Sequence, residues 1–362
     1  MENCQELFAG GNTCRGFYSL FRYIPGRETD RMIIIKGGPG TGKSTLMKQV
    51  GQLAREKGLF TELFYCSSDQ NSLDGLSVPA IGLVLVDGTA PHVIDPKLPG
   101  AYDEIINLGD CWDAAALRPF KKEIAALIDK NGEWFTQAYQ YLQEAGVVLE
   151  KIRYFMRQAM DYPALSQMSH RLLNQLVASL PPANGNRQER HLFGGAITPG
   201  GLINFYPSIF QDIKRFYLLI GDHGSGKSTL LRQIHEAVIS AGHSTNVYRC
   251  AFDPDRFDAV AIPVLQTAFV KATYPHSFAL PSSQPPQEQH ILALSRFTNP
   301  AILKSFANER AENQDRFWYL LEKAVTMIRN AKENHQRLET FYTRSMDFSK
   351  VAAVRQKLFD LF

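Results

Sequence analysis

Apolar residues along this chain fall into two kinds of run. Short unbroken runs, Met32–Ile35, Ile81–Val86 and Phe216–Ile220, predict buried β-strands. Further short strands are expected near Thr61–Cys66 and Thr245–Cys250. The second kind repeats every three or four residues, the spacing of an amphipathic helix. Leu117, Phe120, Ile124, Leu127, Phe135, Ala138, Leu142, Ala145, Leu149 and Ile152 make one such stripe. Phe317, Leu320, Ala324, Ile328, Ala331, Leu338 and Phe341 make another. Patterns longer than about 25 residues suggest a helical hairpin or a coiled-coil-like arm. Two shorter helix-forming segments, STLMKQVGQLAREKG and STLLRQIHEAVISAG, end at Gly58 and Gly242, where a C-terminal cap belongs. Strands alternating with helices imply an α/β fold, a parallel sheet flanked by helices on both faces.

The pattern occurs twice. Shifted by 184 residues, the chain aligns with itself without a gap from Gly10 to His92, with 23 identities in 83 positions. The pairs include Gly10/Gly194, Gly11/Gly195, Cys66/Cys250, Asp69/Asp253, Asp74/Asp258 and His92/His276. Met160–Leu176 also resembles Met346–Phe362, at an offset of 186. A period this long is a domain, not a solenoid unit. Two tandem modules are expected, 1–184 and 185–362, joined by the Pro/Gly/Asn-rich linker Pro181–Arg190. In the first, the α/β core spans about 8–112 and a helical arm about 113–180. In the second, the core spans about 191–305 and the arm about 306–362. The chain then reads as an internal pseudo-dimer.

Composition changes little in this picture but excludes several classes. A length of 362 residues also suggests about two domains. With 44% hydrophobic and 21% charged residues, neither a disordered nor a fibrous protein is expected. Lys+Arg of 39 against Asp+Glu of 36 gives a net charge of +3, which supports no broad nucleic-acid or membrane surface. The longest apolar run, Ile81–Val86, is far short of the roughly 20 residues of a membrane span. The start, MENCQELFAGGN, lacks the features of a signal peptide. Five scattered cysteines without a CxxC suggest a reducing, cytoplasmic setting, with no disulfide framework and no zinc site.

The chemistry lies where each first strand ends. Gly37, Gly38, Pro39, Gly40, Thr41, Gly42, Lys43, Ser44 and Thr45 fit G-x-x-x-x-G-K-[ST], the P-loop pattern. So do Gly221, Asp222, His223, Gly224, Ser225, Gly226, Lys227, Ser228 and Thr229. A triphosphate needs many donors converging at short range. Glycines let the backbone curl so that successive N–H groups face the phosphates. The helix that follows adds its positive N-terminus. Lys43 and Lys227 would supply charge to the β- and γ-phosphates, and Ser44 and Ser228 a hydroxyl ligand for Mg²⁺. The expected ligands are therefore ATP, or another nucleoside triphosphate, and Mg²⁺. Both halves resemble P-loop NTPases. The duplicated layout, and the run Val86–Asp113 in particular, resembles a bacterial family of tandem P-loop ATPases sometimes labelled nucleotide kinases.

Such enzymes also need a carboxylate at the end of a hydrophobic strand. Asp87 follows Ile81–Val86 and is the expected Mg²⁺-linked acid, whereas Lys271 stands at the aligned position and cannot bind the ion. Turnover is therefore expected in the first copy, and binding with weaker or no turnover in the second. Asp69 and Asp74, like Asp253 and Asp258, are expected at the carboxyl edge of the sheet, where they could orient water, accept a proton or assist Mg²⁺. The alternative is a turn or cap role. His92 and His276 are candidates for a structural hydrogen-bonding role or for a γ-phosphate-sensing or catalytic one, and Arg157 and Arg344 are arginines that could reach a phosphate. Gly10, Gly11, Gly194 and Gly195 are expected to shape a turn beside the site, or to let a nucleotide approach. The leading function is ATP hydrolysis. The others are a kinase and a nucleotide-switched scaffold that binds a protein partner through its arms. No LSGGQ-like signature is present, which argues against a transporter-type ATPase.

Overall fold

The short apolar runs all enter one sheet. The computed structural model describes every residue except 1, 2, 184, 186 and 273–287. In the first half the strands are β1 (Cys4–Phe8), β2 (Arg31–Lys36), β3 (Thr61–Tyr65), β4 (Leu73–Val78), β5 (Leu83–Asp87) and β6 (Asp103–Asn107). In the second half they are β7 (Glu189–Phe193), β8 (Arg215–Ile220), β9 (Thr245–Arg249), β10 (Phe257–Ile262), β11 (Thr267–Lys271) and β12 (Glu288–Ala293). Across the 12-stranded sheet the order is β6-β2-β5-β4-β3-β1-β7-β9-β10-β11-β8-β12. Each half thus has the same order, counted outward from a seam where β1 and β7 meet antiparallel at Phe8 and Phe193.

The sheet is mixed, not wholly parallel as the alternation of elements predicts. β2 runs parallel to β5 and β6, and β8 parallel to β11 and β12. β4 and β10, however, run antiparallel to both their neighbours. The reason is connection length. Parallel neighbours need a crossover of a dozen or more residues. The links before and after β4 are too short for that, and the second is only a turn at Pro79–Ile81. The linker also ends earlier than expected, because Glu189 and Arg190 already belong to β7.

The six longest of the described helices complete the frame. They are α1 (Lys43–Glu56), α2 (Lys121–Ala159), α3 (Tyr162–Ala178), α4 (Lys227–Ser240), α5 (Ala307–Arg344) and α6 (Phe348–Phe359). α1 lays Leu46, Met47 and Val50 on one face of the sheet, against Ile33, Ile35 and Leu85. The opposite face is covered partly by irregular segments through Phe21, Ile24 and Phe210. One continuous apolar cluster there includes Ile34 and Phe64 of the first half with Phe216 and Tyr248 of the second.

The long helices do not fold back within their own halves. α2 and α5 pair with each other, antiparallel. Phe120 meets Phe341, Asn131 meets Asn334, Glu144 meets Arg316 and Phe155 meets Phe306. The apolar stripe of each is spent on the other, through Leu142, Leu149, Leu320 and Ile328. Each arm then ends on the opposite half. Asp161 N donates to Phe297 O and Asp347 N to Cys111 O. α3 packs on α4, and α6 on α1. The turns that allow this are built locally: Asp161 and Asp347 accept from Ala164 N and Ser349 N, capping α3 and α6.

The halves are also joined by a buried ion pair. Arg190 of β7 holds Glu62 of β3 through Nη1 and Nη2, at 2.5 and 2.8 Å, and donates to the carbonyls of Tyr23 and Ile24. Removing one partner strands the other charge, which typically costs about 3–5 kcal/mol. Arg190→Ala is therefore expected to lower unfolding stability by that order in denaturant titration. A loss below about 1 kcal/mol would place this pair with solvent-exposed ones. No helix among the described residues is long and apolar enough to cross a membrane.

Candidate functional site

Both segments that fit the P-loop pattern join a strand next to the sheet's edge, β2 or β8, to a helix. Gly42 and Gly226 adopt φ of 90° and 93° as they open α1 and α4, a left-handed conformation that suits glycine. The lysine that follows bends back over its own loop. Lys43 Nζ donates to Gly37 O at 2.9 Å and Gly38 O at 2.8 Å. Lys227 Nζ donates to Gly221 O, and to Asp222 O at 2.8 Å. Each loop is thus drawn around an ammonium group at a helix N-terminus, where anions bind.

Asp87 and Lys271 occupy matching places. Asp87 pairs with Ile35 across β2 and β5, and Lys271 with Leu219 across β8 and β11. Asp87 Oδ2 lies 3.6 Å from Lys43 Nζ, while its Oδ1 accepts from Thr89 N at 2.9 Å. Asp74 and Asp258 also match. In each half the strand register slips by one, between Phe64/Gly75 and Tyr65/Leu73, and between Tyr248/Ala259 and Arg249/Phe257. The extra residue of each bulge is the aspartate, and bulges commonly re-aim a side chain.

The two halves then differ in charge. Asp74 is buried, and burial followed by the charge of Asp87 pushes its carboxyl up to about 8. His92, whose Nε2 is 3.7 Å from Asp74 Oδ1, stacks on Phe21, and burial holds it down to about 4. In the second half Lys271 takes the place of Asp87 and binds Asp258 at 2.9 Å, both side chains buried. Burial, then Lys271, lowers Lys227 to about 7.

A stability test follows from Asp74. Lys43, Asp69, Asp87, Cys66 and His92 all act on or lie beside it. A carboxyl raised from 3.8 stabilises the fold fully below pH 3.8, and that contribution is lost as pH rises through about 8. Asp74→Asn removes the loss. Its melting temperature relative to wild type should rise by roughly 2–4 °C between pH 6 and pH 9. A difference that stayed flat with pH would show that Asp74 carries no such shift.

The other acids are engaged by the arms. Asp69 receives Lys332 Nζ of α5 at 2.8 Å and Ser72 Oγ at 2.7 Å. Asp253 receives Arg153 Nη1 of α2 at 3.0 Å and Arg256 Nε at 2.8 Å. In each half the cation from a long helix belongs to the opposite arm. The arms also touch the loops. Thr343 Oγ1 donates to Gly40 O at 3.2 Å, and a Cβ on Gly38 would lie 2.8 Å from the Tyr342 ring. A Cβ on Gly224 would lie 2.8 Å from Arg153 O. A cavity of about 390 Å³ lies over the second loop, lined by Gly221–Thr229, Lys271, Arg310, Trp318 and, from the opposite arm, Arg153, Arg157 and Tyr162.

Ser44 Oγ accepts from Leu73 N at 2.9 Å, one residue from Asp74, and Ser228 Oγ donates to Phe257 O at 3.2 Å. Arg157 pairs with Glu150 at 3.4 Å and lines the cavity over the second loop, and Arg344 is exposed at the end of α5. His276 lies outside the described residues. Gly10 and Gly194 make room for aromatic rings: a Cβ would lie 2.7 Å from Phe17 and 2.5 Å from Tyr206. Sequence patterns gave no sign of Arg153, Lys332 or Tyr342 at the loops, since their partners are remote in the chain. Nor did they show Glu189, His191 and His235, whose ligand atoms lie within 4.8 Å of one another and could hold a metal ion. The cysteine count had suggested no zinc site, but this group uses no cysteine.

Comparison with protein-family models, with curated proteins and with solved structures gives no significant match to this chain.

Proposed function

We propose that the chain is a Mg²⁺-dependent P-loop NTPase made of two tandem, related modules, hydrolysing ATP at the first loop. The observation that carries this is Lys43, at the N-terminus of α1, held 3.6 Å from the strand-end carboxylate of Asp87 with Asp74 buried beside them. The equal strand orders of the two halves and the gapless repeat support a duplicated module. The donor set suits a hard cation. Asp87 commits Oδ1 to Thr89 and turns Oδ2 toward Lys43, and the Ser44 hydroxyl accepts from Leu73 N, one residue before Asp74. Ser44 and Asp87 would hold Mg²⁺, which neutralises charge on the phosphate oxygens. Backbone N–H groups of the loop and Lys43 would bind and orient the triphosphate. The ionised fraction of Asp74, which grows as pH rises toward about 8, would take up a proton from the attacking water. Tyr342 and Thr343, brought by the opposite arm, would limit water access to the loop.

The second module carries Lys271 in place of the acid, and its reading is binding with little turnover. The test is phosphate release from Mg·ATP. Release without any acceptor supports hydrolysis. ADP formed only when a nucleotide or small-molecule acceptor is added would convert the assignment to a kinase. Tight binding without product would leave a switch acting through the arms.

A further inference from the structure

Resting on the two-site reading above, we propose that the second loop takes its phosphate ligand without a divalent cation, and that Lys271 sets this preference. Mg²⁺ needs oxygen ligands, and protein sites supply them chiefly as carboxylates. Around the second loop those carboxylates are already committed. Asp222 binds Arg310 at 2.7 Å, Asp253 binds Arg153 and Arg256, and Asp258 binds Lys271 at 2.9 Å. Glu150, at the rim, is shared by Arg153, Arg157 and Arg256. The cavity lining therefore presents Arg153, Arg157, Lys227, Arg256, Lys271 and Arg310 against only Asp222 and Asp258.

The first loop is built the other way. There the position of Lys271 holds Asp87, and the matching bulge carries Asp74, so two carboxyl groups, not a carboxyl and an ammonium, stand near the loop lysine. A bare polyphosphate carries the charge that the second cavity lacks, and an ammonium at 271 replaces the neutralisation an ion would give. Tyr162, Phe252 and Trp318 in the same lining suit an apolar group joined to the phosphates. The ligand class is a metal-free nucleoside di- or triphosphate.

The experiment uses full-length protein carrying Lys43→Ala, with a fluorescent ATP analogue as probe. Titrations in excess EDTA and in excess Mg²⁺ should give dissociation constants within about threefold of each other. Adding Lys227→Ala should abolish that binding. In the Lys43→Ala background, Lys271→Asp should make binding at least tenfold weaker in EDTA than in Mg²⁺. Because an acid facing Asp258 can disturb folding, Lys271→Met serves as a second variant and should weaken EDTA binding with the fold retained by circular dichroism. A tenfold loss in EDTA for Lys43→Ala alone would overturn the inference while leaving nucleotide binding at the second loop intact. No binding in either buffer would overturn both.

Discussion

On the proposed reading, Lys43→Ala should lower ATP turnover by roughly 10²–10³-fold, the range seen when one charge-stabilising donor is lost from an active site, while Lys227→Ala should leave it within a few-fold of wild type. The expectation follows from what stands beside each lysine. Lys43 has Asp87 at 3.6 Å and Asp74 behind it, whereas Lys227 faces Lys271, which is tied to Asp258. Only the first arrangement offers a carboxylate to a cation, and phosphoryl transfer depends on that cation. Asp87→Asn should reproduce most of the Lys43→Ala loss with folding unchanged, because the amide keeps the acceptor for Thr89 N. Steady-state phosphate release on the three variants settles the division. If Lys227→Ala alone abolished turnover, the roles of the loops would be reversed.

Severing the chain between residues 184 and 185 should leave one complex, not two proteins. The cut falls in the polar linker, yet each arm packs on the opposite half and the sheet continues across the seam. Co-expressed fragments should elute together at a 1:1 ratio at about 1 µM. Expressed alone, either fragment exposes the apolar stripe of its long helix and half of the shared cluster, and should be insoluble or largely unfolded. Two separate, folded monomers would show that each arm can serve its own half.

Local structure was legible in the sequence; long-range placement was not. The strands that carry the loops, the helices after them and Asp87 at a strand end all follow from short-range pattern. β4 did not. Its sequence, LDGLSV, mixes acid, glycine and serine among apolar residues, yet every position is buried. No alternation marks such a strand, and the bulge at Asp74 leaves no trace in composition. The stripes on α2 and α5 announced that a face would be buried without naming its partner. An amphipathic period specifies an exposed and a hidden side of a helix and nothing about the surface that hides it. The cations that hold Asp69 and Asp253 come from those remote helices, so the paired state of both acids was hidden with them.

The crossing of the arms has a consequence for how such a protein can change. Two identical chains crossed in this way would complete each other's sites symmetrically, and any substitution would enter both loops at once. A lysine replacing the strand-end acid would then disarm the whole assembly. With both halves in one chain, position 271 can hold lysine while position 87 keeps its carboxylate. The arms bind the halves together, so the second loop should not be removable without unfolding the half that keeps the acid. Covalent linkage lets the two loops carry different residues, and the crossed arms tie their folding together.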